Sequence, residues 1–141
     1  PLFPFGFGLG YTQFAWSEPK VSSTVMSEGG ITVTLDLTNT GARKGSEVVQ
    51  LYVRALDATI SRPEKELRAF AKLELDAGET GTATLHVTPR DLSFFDVDAK
   101  AFRSEPGQYE LVIAANAADA RHTIAIENPA LWLGGVADTS I

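Results

Sequence analysis

Two groups of carboxylates have the composition from which hydrolytic chemistry is built: Glu64/Glu66 and Asp91/Asp96/Asp98. Cleaving a glycosidic bond takes two carboxyl groups a few ångströms apart, in surroundings that split their pKa values. Glu64 and Glu66 straddle Lys65 and precede Arg68, which reads as a solvated or domain-contacting charge group. Glu64 and Arg68 could pair, or both could face a neighbouring domain. Asp91 follows Pro89-Arg90 and precedes an apolar step, the setting of a capping residue. Asp96-Val97-Asp98 lacks the sharp-turn Gly and bidentate Glu of a calcium loop. His86 alternates with Leu85 and Val87 and is expected to face solvent, with His122 on a rim; neither has a second His or a Cys at ligand spacing. No strand-to-helix elbow surrounds Ser93, so a nucleophile activated by either histidine has no local support. The sequence assigns no catalytic residue, no metal ligand and no cofactor.

Sugar recognition is the other chemistry to weigh, because exposed rings serve as stacking platforms. Trp16, Tyr52 and Trp132 are the candidates. Trp16 follows closely on a run of aromatics and is expected to pack with them. Tyr52 falls on the outward face of a strand, and Trp132 is placed to anchor the tail.

The elements that must position these residues are strands. Ile31, Val33, Leu35 and Leu37 alternate with Thr32, Thr34, Asp36 and Thr38, the period-2 pattern of a half-buried strand. Asn39-Thr40-Gly41 supplies residues that tolerate positive φ. Val49, Leu51 and Val53 form the inward row of the next strand. Leu67, Ala69, Ala71, Leu73 and Leu75 line one face of another, with Phe70 opposite, so that the second side is expected to be partly covered too. Asp76-Ala77-Gly78-Glu79 is a tight connection into a strand that buries Ala83, Leu85 and Val87 and ends at Pro89. A Ser/Thr/Val-rich strand is expected over residues 21–26, and a helical turn or short edge strand within 91–98. Tyr109, Leu111 and Ile113 point inward from the penultimate strand, and residues 122–126 form the last. Short strands at this spacing, with no sustained 3.6 period, predict an all-β, antiparallel β-sandwich of the immunoglobulin/fibronectin type III-like kind with about seven strands.

The expected organisation is a segment over 1–18, a sandwich over 19–127 and a tail over 128–141. A chain of 141 residues is one domain with flanks, large enough to bury its own core. The absence of Cys excludes disulfides and thiolate metal sites without fixing the compartment. Net charge is -6 and the 12 basic residues are scattered, which argues against nucleic acid and anionic membrane surfaces as partners. No apolar run approaches the ~20 residues of a membrane span. The chain starts with Pro1 rather than Met and carries no leader-like stretch, so a fragment or processed product is expected, with any export signal upstream.

The first fourteen residues are unlike the rest. Phe3, Phe5, Phe7, Leu9, Tyr11 and Phe14 alternate with Gly and Pro. Gly and Pro oppose regular structure, while the rings are too apolar for a solvated linker. Such a segment is stable only against a surface that buries the rings, at roughly 1.5–3 kcal/mol each.

This segment closely resembles the one that leads into the C-terminal fibronectin type III-like domain of family 3 glycoside hydrolases, the β-glucosidases, β-xylosidases and relatives. The family pattern F-P-F-G-[YF]-G-L-S-Y-T-x-F runs here from Phe3 to Phe14, with Gly10 where Ser is usual. The resemblance continues through Asn39-Thr40-Gly41, Gly45-Ser46-Glu47-Val48-Val49-Gln50-Leu51-Tyr52-Val53, and Arg62-Pro63-Glu64-Lys65-Glu66-Leu67-Arg68-Ala69-Phe70. It goes on through Asp91-Leu92-Ser93 and Gly107-Gln108-Tyr109, covering about residues 1–127. Phe102 stands where members often carry Trp, and residues 115–119 depart from the family's Gly-x-Ser-Ser-like turn. In that family the nucleophile and the acid/base lie on the preceding barrel and α/β domains, so no catalytic role transfers to this chain. The resemblance implies an accessory domain whose partners are those two domains, with a homodimer contact as an option. Oligosaccharide is met only through the parent enzyme, and a periplasmic or secreted setting suits a bacterial parent. It further implies docking through Phe3, Phe5, Phe7, Leu9, Tyr11, Phe14, Arg62, Lys65 and Glu66, where Pro63 stiffens the approach and Arg62 suits a carboxylate or carbonyl edge. The alternatives from other classes are a carbohydrate-binding sandwich and a protein-interaction sandwich.

Overall fold

The computed structural model describes residues 13–59, 62 and 64–134. Alternating burial builds the first sheet. In β3 (Ile31–Asn39), Ile31, Val33 and Leu37 are fully buried and Leu35 nearly so. β6 (Thr80–Val87) pairs antiparallel with it, placing Val87, Leu85 and Ala83 opposite Ile31, Val33 and Leu35. On its other side β3 takes two short pieces, β1 (Phe14–Trp16) and β2 (Lys20–Val21). Between them Pro19 has no N–H to give a ladder. The chain stays attached there through Ser17, whose hydroxyl accepts the Asp36 N–H at 2.8 Å.

The second sheet has the order β10-β9-β4-β5, from β4 (Gly45–Ala55), β5 (Glu66–Leu75), β9 (Gly107–Asn116) and β10 (Asp119–Asn128). Val49, Leu51, Val53, Leu111 and Ile113 meet the first sheet in one continuous core. Tyr109 joins that core, and its hydroxyl donates to the Glu105 carbonyl at 2.7 Å, a tyrosine corner of the kind found in immunoglobulin-like sandwiches. A third, small sheet of β7 (Phe94–Asp96), β8 (Ala101–Ser104) and β11 (Trp132–Gly134) lies in the order β11-β8-β7.

The fold is the expected all-β antiparallel sandwich, and its details depart from the sequence pattern in five places. The strand segments number eleven among the described residues, because the first strand is split and the third sheet adds three short ones. The strand expected over 21–26 pairs only at Lys20–Val21. Beyond it Ser23 bonds its own neighbour, accepting the Val25 N–H at 3.0 Å, and the chain crosses to the second sheet, where Met26 N–H donates to the Glu127 carbonyl at 2.8 Å. Leu67 does not join the inward row: Leu51 opposes Ala69 but Tyr52 opposes Leu67, so Arg68 is an extra residue and the bulge turns Leu67 outward, 46% exposed. On that outward face Tyr52, Val112 and Ala114 are buried together, whereas Phe70 is 69% exposed rather than covered. Asn39, read as a turn residue, is fully buried.

The tight connection after β5 forms as expected. Gly78 takes φ +80 and Glu79 N–H donates to the Asp76 carbonyl at 2.9 Å. Residues 91–98 hold both anticipated alternatives, a 3-10 turn over Pro89–Leu92 and then β7.

Candidate functional site

The bulge at Arg68 assembles the most heavily bonded charge cluster among the described residues. By adding one residue it brings Glu66 opposite the buried Val53 and turns Arg68 toward the 3-10 turn. Arg62 enters from the β4–β5 loop with its side chain only 5% exposed. Its guanidinium donates to the Leu92 carbonyl at 3.1 Å, the Ser93 carbonyl at 3.2 Å and the Glu66 carboxylate at 2.8 Å. It also lies 5.3 Å from the centroid of Phe94. Arg68 donates to the same Ser93 carbonyl at 3.0 Å and to the other Glu66 oxygen at 3.2 Å. The planar donor set does meet a carboxylate and carbonyl edges, and those groups are the domain's own. Glu64 pairs loosely with Arg54 at 3.8 Å, not with Arg68. Lys65 crosses the outward face, donating to the Ala117 carbonyl at 2.7 Å with its ammonium 5.1 Å above the Tyr52 ring.

A second corner lies beside it. Residues 56–59 are held to the turn before β9: Leu56 N–H donates to the Gln108 carbonyl at 3.0 Å, and Gln108 N–H to the Asp57 carboxylate at 2.8 Å. Gly107, at φ +142, lets the two chains approach this closely, since a Cβ there would stand 3.0 Å from Asp57. Glu105, 6% exposed, takes the Thr59 N–H at 3.0 Å and the Thr59 hydroxyl on its two oxygens, with Arg103 3.7 Å away. Burial alone would push the Glu105 carboxyl up. The Thr59 hydroxyl and amide, then the charges of Arg103 and Arg62, outweigh it and hold the group below its ordinary value of 4.5. Burial pushes the Tyr109 hydroxyl up.

The sign of the Glu105 shift makes a prediction. A carboxyl whose folded value lies below its unfolded one stabilises fully above the unfolded value and loses that contribution as pH falls through the folded one. Urea midpoints should therefore drop on acidification below about pH 5, where unperturbed carboxylates begin to protonate. Glu105→Gln should cost about 1.5–3 kcal/mol at pH 7, the worth of hydrogen bonds to a charged group. It should also flatten the acid limb; an unchanged limb would show that Glu105 does not contribute to it.

The ring candidates for sugar stacking are not brought together. Trp16 sits on β1, half-buried against the core under the Arg121 guanidinium at 4.6 Å. Tyr52 is 8% exposed, with its hydroxyl donating to Gln50 at 2.7 Å. Trp132 lies in the third sheet, where its indole would collide with any Cβ at Gly134. It lines a cleft of about 120 Å³ with Met26, Pro89 and Leu131.

Phe14 packs half-buried against the core from β1, while Phe3, Phe5, Phe7, Leu9 and Tyr11 lie outside the described residues, as does Pro63. The acidic and nucleophilic candidates are held in structural roles. Asp91 accepts both the N–H and the hydroxyl of Thr88, at 2.8 and 3.0 Å, the expected cap. Asp96 closes its own turn by accepting the Asp98 N–H at 3.0 Å. The buried Ser93 hydroxyl donates to the Arg90 carbonyl, and exposed His86 bonds Thr32 at 3.1 Å. His86 and His122 stand on different sheets. Among the described residues no three His, Cys, Asp or Glu side chains converge as a metal site would need, and no helix is long and apolar enough to cross a membrane. The sequence marks Asn39 only as a turn residue and does not mark Glu105, whose one available signal is its place four residues before the corner Tyr109.

The profile of the fibronectin type III-like domain matches residues 47–117, which include most of β4, all of β5 and both corners. A β-glucosidase of Rhizobium radiobacter is 58% identical over 92% of this chain, and a xylan 1,4-β-xylosidase of Xylanibacter ruminicola is 41% identical over 84%. The chain spans only 16% and 14% of those two proteins. The crystal structure of β-glucosidase 3B from Thermotoga neapolitana superimposes with a TM-score of 0.78 at 31% identity, over 95% of this chain and 18% of that one. Sandwich, tyrosine corner and profile agree, and the chain belongs to the fibronectin type III-like domain family.

Proposed function

We propose that the chain is the non-catalytic C-terminal accessory domain of a family 3 glycoside hydrolase that removes terminal β-linked glucose, with β-xylosides the alternative substrate. One observation carries this reading: nine-tenths of the chain is 58% identical to about a sixth of a β-glucosidase. Glu64, Glu66, Asp91 and Asp96 support it, since each carboxylate is engaged in a cap, a turn or an ion pair rather than facing another across a cleft. The domain packs against the barrel and α/β domains that precede it and stabilises them. Phe3, Phe5, Phe7, Leu9, Tyr11 and Phe14 form the joint, and Lys65 with the Arg62–Glu66 corner contributes at the loop. Since the Arg62 and Glu66 side chains bond within the domain, their contribution is to fix the loop's shape.

The pure chain should not hydrolyse aryl β-glucosides or β-xylosides. In the parent enzyme, Phe5→Ala with Phe7→Ala should lower the melting temperature while leaving kcat of the remaining folded enzyme near its original value. Specific turnover by the pure chain would overturn the proposal.

A further inference from the structure

The cleft of about 120 Å³ lies where the segment before β3, the 3-10 turn and the residues leading into β11 meet. Met26, Pro89, Pro129 and Trp132 give it apolar walls, and Glu28 stands exposed at its rim. A Cβ on Gly134 would stand 2.6 Å from the Trp132 ring, so the indole packs directly on the β11 backbone. That contact holds the ring in place and leaves its remaining surface to the cleft. Asn128 supplies the polar point. It is 4% exposed, and its Nδ2 donates at 2.9 Å to the Glu105 carbonyl, which also takes the Tyr109 hydroxyl. A carbonyl only accepts, so this bond fixes the amide with its oxygen turned away from Glu105. The Oδ1 has no partner among the described residues and is not sealed from solvent, and Asn128 lines the cleft. A nearly buried amide is thus fastened by its nitrogen and open at its oxygen, an acceptor held ready for a donor.

We propose that this cleft binds one pyranose unit, a terminal β-linked glucosyl or xylosyl residue. A ring hydroxyl donates to the Asn128 Oδ1, and the C–H surface of the sugar lies against Trp132. The residues select that chemistry. An amide oxygen only accepts, so the ligand must present an O–H or N–H at that point. The walls around it are apolar, so the rest of the ligand must offer C–H, the usual pairing of one placed polar contact with apolar lining. No Lys or Arg lines the cleft, and Glu28 adds a negative charge to a chain of net charge -6. Phosphorylated and acidic sugars are therefore disfavoured. The volume suits one six-membered ring, since a cavity of about 150 Å³ holds a benzene molecule. β-Linked glucose and xylose carry their hydroxyls equatorially, so an edge hydroxyl and a C–H face are presented together. The choice of these two sugars rests on the proposed enzymatic context. The readout below is binding to the pure chain rather than turnover, so the site and that context can fail separately.

The composition supplies the probes. The chain has one Met and two Trp; Met26 and Trp132 both line the cleft, while Trp16 lies on β1. The pure chain is titrated with methyl β-D-glucopyranoside and methyl β-D-xylopyranoside and followed by NMR. The Met26 methyl and Trp132 indole N–H signals should shift together and saturate, with one Kd on the order of 1–10 mM, as suits a single ring contact and few hydrogen bonds. The Trp16 N–H signal should stay in place. Trp132→Leu should weaken the response at Met26 about tenfold. Glu28→Lys changes an exposed rim residue and gives a test that does not depend on losing binding. It should bring glucose 6-phosphate to at least the affinity of the neutral glycoside, where the unsubstituted chain holds that anion about tenfold more weakly. No saturating shift at Met26 or Trp132 by roughly 50 mM glycoside, well above the expected Kd, overturns the proposal. So does an equal response from Trp16, which would mean unspecific contact. Tighter binding of choline than of either glycoside overturns it too, because the cleft would then be a cation site.

Discussion

Arg62→Met is expected to lower the unfolding free energy by about 3–5 kcal/mol, the cost of removing one partner from a buried ion pair. For a domain of this size that is a fall in melting temperature of roughly 10 °C or more. The side chain is 5% exposed and satisfies three acceptors on two segments: the adjacent Leu92 and Ser93 carbonyls and the Glu66 carboxylate. Met keeps much of the volume and the apolar contact with Phe94, so the loss isolates the polar part. Arg68 retains its bonds to Glu66 and Ser93 and limits the damage. Arg62→Lys keeps the charge but not the fork, and one ammonium cannot reach all three acceptors, so a partial loss of about 1–2 kcal/mol is expected. The double variant Arg62→Met, Glu66→Leu should cost less than the sum of the two single losses, because each single variant already removes the Arg62–Glu66 bond. Additive losses across that cycle, or an Arg62→Met effect below 1 kcal/mol, would show that the corner is not the fastening described.

Sequence pattern reached the sandwich because most of its strands obey one rule. β3 and β6 alternate without exception, and their buried rows face each other in the register the pattern implies. The rule fails where one residue is added. The run from Leu67 to Leu75 is as regular in composition as β3, but the extra residue at Arg68 inverts Leu67 and delivers Glu66 and Arg68 to the corner. A bulge has no compositional mark when the inserted residue is charged and its neighbours are ordinary. The corner was illegible for a related reason. Arg62, Glu64, Glu66 and Arg68 look like a solvated charge run, and only the fold separates the buried members from Glu64, which is 82% exposed. Glu105 is further from legibility, since its partner Thr59 lies 46 positions away in a different loop. The aromatic joint is the opposite case: its composition declares a need for burial, while the surface that meets that need belongs to the proposal.

Asn39 shows how a residue with an obvious local reading can hold a distant one, and it sets the other large expected effect. Its sequence, Asn39-Thr40-Gly41, reads as a turn, and its carbonyl-side oxygen does accept the Gly41 N–H at 2.9 Å. The amide nitrogen, however, donates to the Arg43 carbonyl at 2.8 Å and the Leu75 carbonyl at 3.0 Å. Its own backbone meets the Glu79 carbonyl and the Gly78 N–H. One fully buried side chain thereby ties the β3–β4 connection to the β5–β6 connection and so joins the two sheets. Asn39→Leu conserves volume and leaves the Leu75 carbonyl and Gly41 N–H without partners, at about 1–3 kcal/mol each, so a loss of about 3–4 kcal/mol is expected. Asn39→Asp tests the same geometry by sign. A carboxylate would set an oxygen against two carbonyl oxygens with no water to screen it, and burial would push its pKa up in the folded state. An acid whose folded value is raised binds its proton more tightly when folded, so its penalty is full at neutral pH and shrinks as pH falls. Asn39→Asp should therefore be at least as damaging as Asn39→Leu at pH 7 and should regain stability toward pH 5, where the unsubstituted protein gains none. Urea unfolding across that range reads both slopes. Parallel slopes for Asn39→Asp and the unsubstituted chain would mean that the side chain at position 39 reaches water, and that the sheets are tied elsewhere.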